Sequence, residues 1–250
     1  MIKLFDKLFF LGPVGLGDTF VQSGIVNHFA DRSYELHVPA QPKFYKTVKT
    51  LYQDHPNIKV IALEPDDNQI TQYAQANGLS RILGVPLSQT SIKNFQIIPM
   101  WDIQTYANFE LSFGLRYSNF RLPNHIEGAN NLYDIISNNE PYILVHRYTG
   151  DNIEGLPINI QSFRQNAGLN KNLRIIEIKE GITDDMMQYV KLIQGAEEIH
   201  CVPSSFHCLV DSIQTNAKLY FHDIREKTSM AINTQWNNFK WIEVHYAKRI

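Results

Sequence analysis

The stretch KLFFLGPVGLGDTFVQSGIVNHF, Lys7 to Phe29, decides how the chain folds. It opens with an apolar run, Leu8 to Leu11, of the length of a buried strand. A glycine-rich turn follows: Gly12-Pro13-Val14-Gly15-Leu16-Gly17-Asp18. Phe20, Val21, Gly24, Ile25, Val26 and Phe29 then recur at spacings of three and four. That spacing predicts a helix with one buried face. Strand, glycine turn and helix in succession open an α/β domain of the nucleotide-binding kind.

The same alternation continues downstream. Tyr34 to Val38 reads as a strand bounded by Pro39 and Pro42, Phe44 to Tyr52 as a helix, and Ile58 to Leu63 as a third strand. Asp66 to Asn77 reads as a helix stopped by Gly78. Short breaks between such elements imply a parallel sheet with helices on both faces. From Ile82 to Pro123 the pattern loosens into an aromatic stretch that includes Phe95, Trp101, Phe109 and Phe113. Within it, Tyr106 to Tyr117 has the spacing of a helix with an aromatic face, suited either to packing on the first sheet or to the face of a sugar. Asn130 to Ser137 is a short helix, and the polar, proline-ended Asn138-Asn139-Glu140-Pro141 marks a domain boundary. The expected domains are therefore 1–138 and 139–250.

At Tyr142 the alternation restarts. Tyr142 to His146 is a strand, Asp151 to Pro157 a loop, Asn159 to Ala167 a helix and Leu173 to Ile178 a strand. A helix is expected from Thr183 to Leu192, with Asp184 and Asp185 in its first turn. Ile199 to Val202, Ser205 to Thr215 and Lys218 to His222 follow as strand, helix and strand. The aromatic tail from Met230 takes no clear assignment. The fold class is α/β, two Rossmann-like domains facing across a cleft, with ligands expected at the carboxyl ends of the strands.

Composition removes several classes of function. The 250 residues carry 23 Lys and Arg against 25 Asp and Glu, a net charge of −2. With the cations dispersed, this leaves no footprint for nucleic acid. No apolar run approaches a membrane span. The first residues, MIKLFDKLFF, read as a strand rather than a signal peptide, and there is no N-x-[ST] sequon, so a cytoplasmic location is expected. The only cysteines, Cys201 and Cys208, each follow a histidine. Neighbours in a strand point to opposite faces, so His200 and Cys201 make a poor metal pair, and the cysteines read as small core residues.

The glycine turn itself separates the remaining candidates. Gly12, Gly17 and Thr19 fit G-x-x-x-x-G-K-[ST], but Asp18 stands where the phosphate-binding lysine must be. Gly15 and Gly17 begin G-x-G-x-x-G, but Phe20 fills the third glycine position. The strand Tyr34–Val38 also ends without the acid that would hold a ribose, which disfavours a dinucleotide-binding oxidoreductase. The third match, G-x-G-D before a helix, resembles the first loop of GT-B glycosyltransferases of the heptosyltransferase-like and fucosyltransferase-like group. The resemblance implies that Gly15 and Gly17 form an acceptor-side loop and that Asp18 is the base that activates the acceptor hydroxyl. The alternative role for Asp18 is to cap the helix.

Two loops of the second half extend the resemblance. Arg147 follows the strand YILV and is a planar, permanent cation suited to a diphosphate. Ser204 and Ser205 follow the strand that ends at Pro203 and begin a helix, where backbone N–H groups and serine hydroxyls form an anion site. Ser204 is equally suited to an N-cap. A strand ending in small hydroxyl residues, then a helix with His207 near its start, is similar to the donor-phosphate loop of the same group. The acid that would hold the donor ribose is not obvious; Glu177 and Asp211 are the candidates.

The implied reaction moves a sugar from a nucleotide-diphosphate sugar to a hydroxyl of a glycan or other acceptor. It needs no metal and no cofactor beyond the donor substrate, and no D-x-D triplet occurs. The rival reading is a non-catalytic bilobal protein that binds a nucleotide or sugar.

Overall fold

A computed structural model describes residues 5–12, 15–79, 82–84, 100–149, 159–169, 173–179, 181–223, 230–236 and 240–246. Gly150, the loop read at 151–157, Pro13, Val14 and the part of the aromatic stretch that contains Phe95 lie outside them. The chain divides into two compact units, one of residues 1–126 with 229–238, the other of residues 127–228 with 239–250.

Unit 1 holds a parallel sheet of β1 (Phe5–Leu11), β2 (Ser33–Ala40), β3 (Ile58–Ala62) and β4 (Ile82–Gly84), in the order β3-β2-β1-β4. Its helices are α1 (Leu16–Ala30), α2 (Tyr45–Tyr52), α3 (Asp67–Ala76), α4 (Trp101–Asn108) and α5 (Leu115–Ser118). On one face, Phe9 and Leu11 pack with Ile70, Ala74 and Leu79. The ends of α3 follow the sequence: the Asp66 side chain accepts from the Gln69 N–H, and Gly78 takes φ +63°.

Two expectations change in this unit. The helix α1 is not buried on one face only, because Gln22, Ser23 and Asn27 are buried beside Phe20, Val21, Ile25 and Val26. The reason is close cover by α4 and α5. The Tyr106 hydroxyl donates to Val21 O at 2.8 Å and the Asn119 amide to Gly24 O at 2.9 Å, and a Cβ on Gly24 would lie 2.2 Å from Leu115 O. The single helix expected over Tyr106–Tyr117 is broken into α4 and α5 at Glu110, whose φ is +56°. Its aromatic residues turn inward, with Phe10 stacked on Phe109 at 5.6 Å and Tyr106 edge-on to Phe113 at 5.5 Å. A fully buried ion pair lies behind them, the Arg116 Nη1 donating to Asp102 Oδ2 at 2.7 Å. The same carboxylate accepts the Ala231 N–H and so anchors the segment 230–236 to this unit.

Unit 2 begins before the boundary read at 138/139. Helix α6 (Ala129–Ser137) packs on α8 (Val190–Gly195) and on the 3-10 turn Met186–Tyr189. Asn138 and Asn139, at φ +54° and +55°, end that helix. The sheet is parallel throughout, in the order β6-β5-β7-β8-β9, from β5 (Tyr142–His146), β6 (Arg174–Glu177), β7 (Glu198–Cys201), β8 (Lys218–Asp223) and β9 (Trp241–His245). Helices α7 (Ile160–Asn166) and α9 (Ser205–Val210) complete the unit. Asp185 is the cap of the 3-10 turn, accepting the Met187 N–H at 3.0 Å, rather than a first-turn acid. The tail becomes an edge strand, β9, fixed where Trp241 Nε1 donates to the buried Asp211 carboxylate at 2.8 Å.

Candidate functional site

In each unit the chain reverses its direction across the sheet beside the first strand. In unit 1 that switch lies between β1 and β4, in unit 2 between β5 and β7. Open α/β sheets bind ligands at the carboxyl ends of such strands.

In unit 1, β1 runs into the glycine turn. Gly15 is the N-cap of α1 in an extended conformation, φ −64° and ψ 148°, with no side-chain cap. Asp18 is therefore the third helical residue and not the N-cap, and Gly17 lies inside α1, half-buried. The Asp18 carboxylate folds back on the Gly15 N–H, the carboxylate half of a capping box. A Cβ on Gly15 would lie 2.4 Å from Asp18 Oδ2, so only glycine admits this contact. Burial pushes the Asp18 carboxyl up to about 6, the Gly15 N–H pulling the other way. Among the described residues no cation pairs with it. A carboxylate near 6 is ionised at neutral pH yet basic enough to take a proton as a bond forms.

In unit 2, the carboxyl end of β5 carries His146, Arg147, Tyr148 and Thr149. Arg147 Nε is 3.4 Å from Glu177 Oε1 and the Tyr148 hydroxyl 3.5 Å from the same oxygen. The structure thus brings together the residue expected on the diphosphate and one of the two candidates for the ribose. The Thr149 hydroxyl is buried and has no hydrogen-bond partner among the described residues.

After β7, Ser204 caps α9, its Oγ accepting the His207 N–H at 3.2 Å and donating to Val202 O at 3.0 Å. His146 Nδ1 lies 3.2 Å from the same hydroxyl. With the serine proton on Val202 O, His146 Nδ1 is the donor and its Nε2 the acceptor. The His146 ring stacks on Phe206 at 5.1 Å, and burial holds it down to about 4, so it is neutral. Ser205 is half-buried at the first position of α9.

The His207 imidazole does not reach this loop's surface. It is 1% exposed, with its centroid 4.7 Å from Phe221 and 4.8 Å from Trp241. Its backbone N–H alone takes part in the cap. Asp211 is likewise committed, to Trp241.

Two features escaped the sequence reading. His146 was passed over, although it closes the contact between the β5 and β7 loops. On the sheet face that faces Phe163, His200 Nδ1 lies 2.9 Å from His222 Nε2, and His222 Nδ1 2.5 Å from the Tyr246 hydroxyl. Glu198 Oε2 is 3.6 Å from His200 Nε2 and also accepts from Arg164. With the His200 Nε2–H turned to the Glu198 carboxylate, which at 3.6 Å attracts it without a hydrogen bond, His222 Nε2 donates to His200 Nδ1 and the Tyr246 hydroxyl to His222 Nδ1. The signal was available: Glu198 and His200 in β7, and Tyr220 and His222 in β8, stand two apart and so share a sheet face. Cys201 and Cys208 are buried, as core residues are. Among the described residues no group of three or more His, Cys, Asp or Glu is placed to hold a metal ion, and no helix is long and apolar enough to cross a membrane.

Two Rossmann-like units, each with its polar loops after the first strand, define the fold of the GT-B glycosyltransferases. The similar solved structures are of that kind. Escherichia coli ADP-heptose lipopolysaccharide heptosyltransferase II matches over 97% of this chain and 91% of its own, at a TM-score of 0.63 and 10% identity. A glycosyltransferase family 9 protein from Veillonella parvula matches over 98% and 87%, at 0.55 and 7%. The iron-containing dodecameric glycosyltransferase TibC from enterotoxigenic E. coli matches over 94% and 64%, at 0.53 and 11%. No protein-family model and no curated protein sequence matches the chain. At these identities the likeness is one of fold.

Proposed function

We propose that the protein transfers a glycosyl group, of the hexosyl or heptosyl type, from a nucleotide-diphosphate sugar to a hydroxyl of a glycan or other acceptor. The observation that carries this reading is Asp18. Its carboxylate is held on the Gly15 N–H, raised to about 6 and paired with no cation among the described residues, at the mouth of the first strand. In the step, the acceptor oxygen forms the new bond to the sugar and gives its proton to Asp18. The bond from the sugar to the diphosphate breaks, and the diphosphate leaves with the electron pair. Arg147 and the hydroxyls of Ser205 and Thr149 meet the developing charge, which is electrostatic stabilisation by groups already in place, while Ser204, its proton on Val202 O, holds the start of α9. His207 acts only through its N–H, and Glu177 acts on Arg147.

This reading calls for no metal, no cofactor beyond the donor substrate and no nucleic acid, and it places the protein in the cytoplasm. The fold likeness to glycosyltransferases supports it. The rival, a non-catalytic binding protein of the same fold, draws support from the Gly15 contact, which gives Asp18 a purely structural use. A panel of nucleotide-diphosphate sugars and saccharide acceptors, followed by release of nucleoside diphosphate, separates the two. Acceptor-dependent release supports transfer. Binding of the nucleotide sugar, seen as a raised melting temperature, without release supports the rival.

A further inference from the structure

Beneath the glycine turn of unit 1, the carboxyl ends of β1 and β2 and the facing sides of α1 and α2 enclose a pocket. Gly12, Thr19, Gln22, Val38, Pro39 and Tyr52 line it, and its volume of about 10 Å³ admits one group the size of a water molecule. Tyr52, the last residue of α2, is 4% exposed, and its hydroxyl has no hydrogen-bond partner among the described residues. A buried hydroxyl without a partner is costly, and a phenylalanine would fill the same space without that cost. Burial pushes the phenol up, so it is neutral and able to donate.

The other polar walls suit the same guest. The Thr19 hydroxyl donates to Gly15 O at 3.1 Å, which leaves its oxygen to accept. A Cβ at Gly12 would lie 2.0 Å from Gln22 Oε1, so the bare glycine is what lets the Gln22 amide reach the wall. A donor at Tyr52 and an acceptor at Thr19 around one small space fit a group that both donates and accepts. They do not fit an apolar group.

We propose that this pocket is a hydroxyl subsite for a saccharide, in which Tyr52 hydrogen-bonds one ligand hydroxyl. Thr19 directly follows Asp18 in α1, so a saccharide seated there is held by the neighbour of the proposed base. Naming that saccharide the acceptor rests on the transfer reading above; its binding does not. The other source of the same chemistry is a permanently bound water.

The test compares the full chain with Tyr52→Phe, an isosteric change, using methyl glycosides of common hexoses as probes and ligand-observed NMR as the readout. At least one glycoside should bind the wild type, and its affinity should fall about tenfold in the variant, the worth of one hydrogen bond to a buried group. The melting temperature should stay level or rise, and nucleoside-diphosphate affinity should not change. Equal glycoside affinity in both proteins, or no binding to the wild type, overturns the subsite and leaves Tyr52 to a bound water. Tyr52-dependent binding without transfer from any donor keeps the subsite and removes the transfer reading. Transfer with an unchanged acceptor KM in Tyr52→Phe does the reverse.

Discussion

The carboxyl end of β1 in unit 1 and the carboxyl end of β5 in unit 2 occupy the same place in their sheets but differ in charge. Asp18 has no cation partner among the described residues and is raised to about 6 by burial. Arg147 stands 3.4 Å from Glu177, its charge already balanced. An unpaired, partly buried carboxylate costs stability and is suited to accepting a proton. A balanced cation costs little and can exchange its carboxylate for an incoming anion. The first site is strained by burial, the second is held in reserve.

The largest test of that difference is Asp18→Asn. The amide keeps an oxygen for the Gly15 N–H and loses the charge whose burial is unfavourable. Glycosyl transfer should fall by roughly 10²–10⁴, the usual worth of a general base. Stability should rise by about 1–2 kcal/mol, the shift of the carboxyl discounted for its partial exposure. Activity and stability moving in opposite directions marks a functional carboxylate. A variant with full activity would make Asp18 a helix residue only.

Arg147→Ala comes next. It should weaken nucleoside-diphosphate binding by about 1.5–3 kcal/mol, as loss of a hydrogen bond to a charged group does. The saccharide affinity of unit 1 should not move. Unchanged diphosphate affinity by calorimetry in a folded Arg147→Ala protein would make the Glu177 pair a surface ion pair and empty the unit 2 site of its cation.

The two units should also respond to acid with opposite signs. In unit 2, burial holds His146 down to about 4 and His222 to about 3, and lowers His200 as well. Their unfolded values lie near 6.5, so the unfolded chain binds their protons first. The stability they contribute is complete above that value and is lost as pH falls towards 4 and 3, by about 1.4 kcal/mol per pH unit for each proton. Asp18 is the reverse case: its folded value is the higher one, so the folded state takes up its proton between about 6 and 3.8 and gains. His28 on α1 is lowered and opposes this gain, but from a less buried position. Between pH 6.5 and 4.5, amide exchange should quicken in β7 and β8 before it does in β1 and α1. Equal loss of protection in both units would contradict the buried neutral histidines.

What the sequence revealed and what it hid follow one physical line. Elements defined by their own residues were readable: β1 and β5 by apolar runs, α3 by Asp66 and Gly78, α9 by its Ser204 cap. Elements defined by distant partners were not. The strand β4 is three residues long and is made a strand by pairing with Phe9 to Leu11. The strand β9 owes its place to β8 and to the Trp241–Asp211 bond. The same line runs through the sites. Asp18 was singled out from local spacing, but its seat at the third helical position depends on how the turn enters α1. His207 was placed correctly near the helix start, yet its ring direction is set by Trp241, 34 residues on, where no local pattern reaches. His146 acquires meaning only when β7 is laid beside β5.

Glu177→Gln should give the smallest effect and the sharpest answer about unit 2. Sequence reasoning offered Glu177 as the acid for a donor ribose, whereas its observed partner is Arg147. A diphosphate must displace or share that carboxylate, so neutralising it removes a like charge from the anion site. Partly exposed charge pairs of this kind are worth about 1 kcal/mol or less, so binding should tighten by roughly two- to fivefold. The gain should be equal for a nucleoside diphosphate and for inorganic pyrophosphate, because both present the same charge. A ribose-binding acid predicts another pattern. Loss of its hydrogen bonds to sugar hydroxyls would weaken the nucleotide about tenfold and leave pyrophosphate, which has no ribose, unaffected. Calorimetry with both ligands on one variant therefore decides between the two roles. Weakening confined to the nucleotide would return Glu177 to the ribose and leave Arg147 without a competitor for the diphosphate.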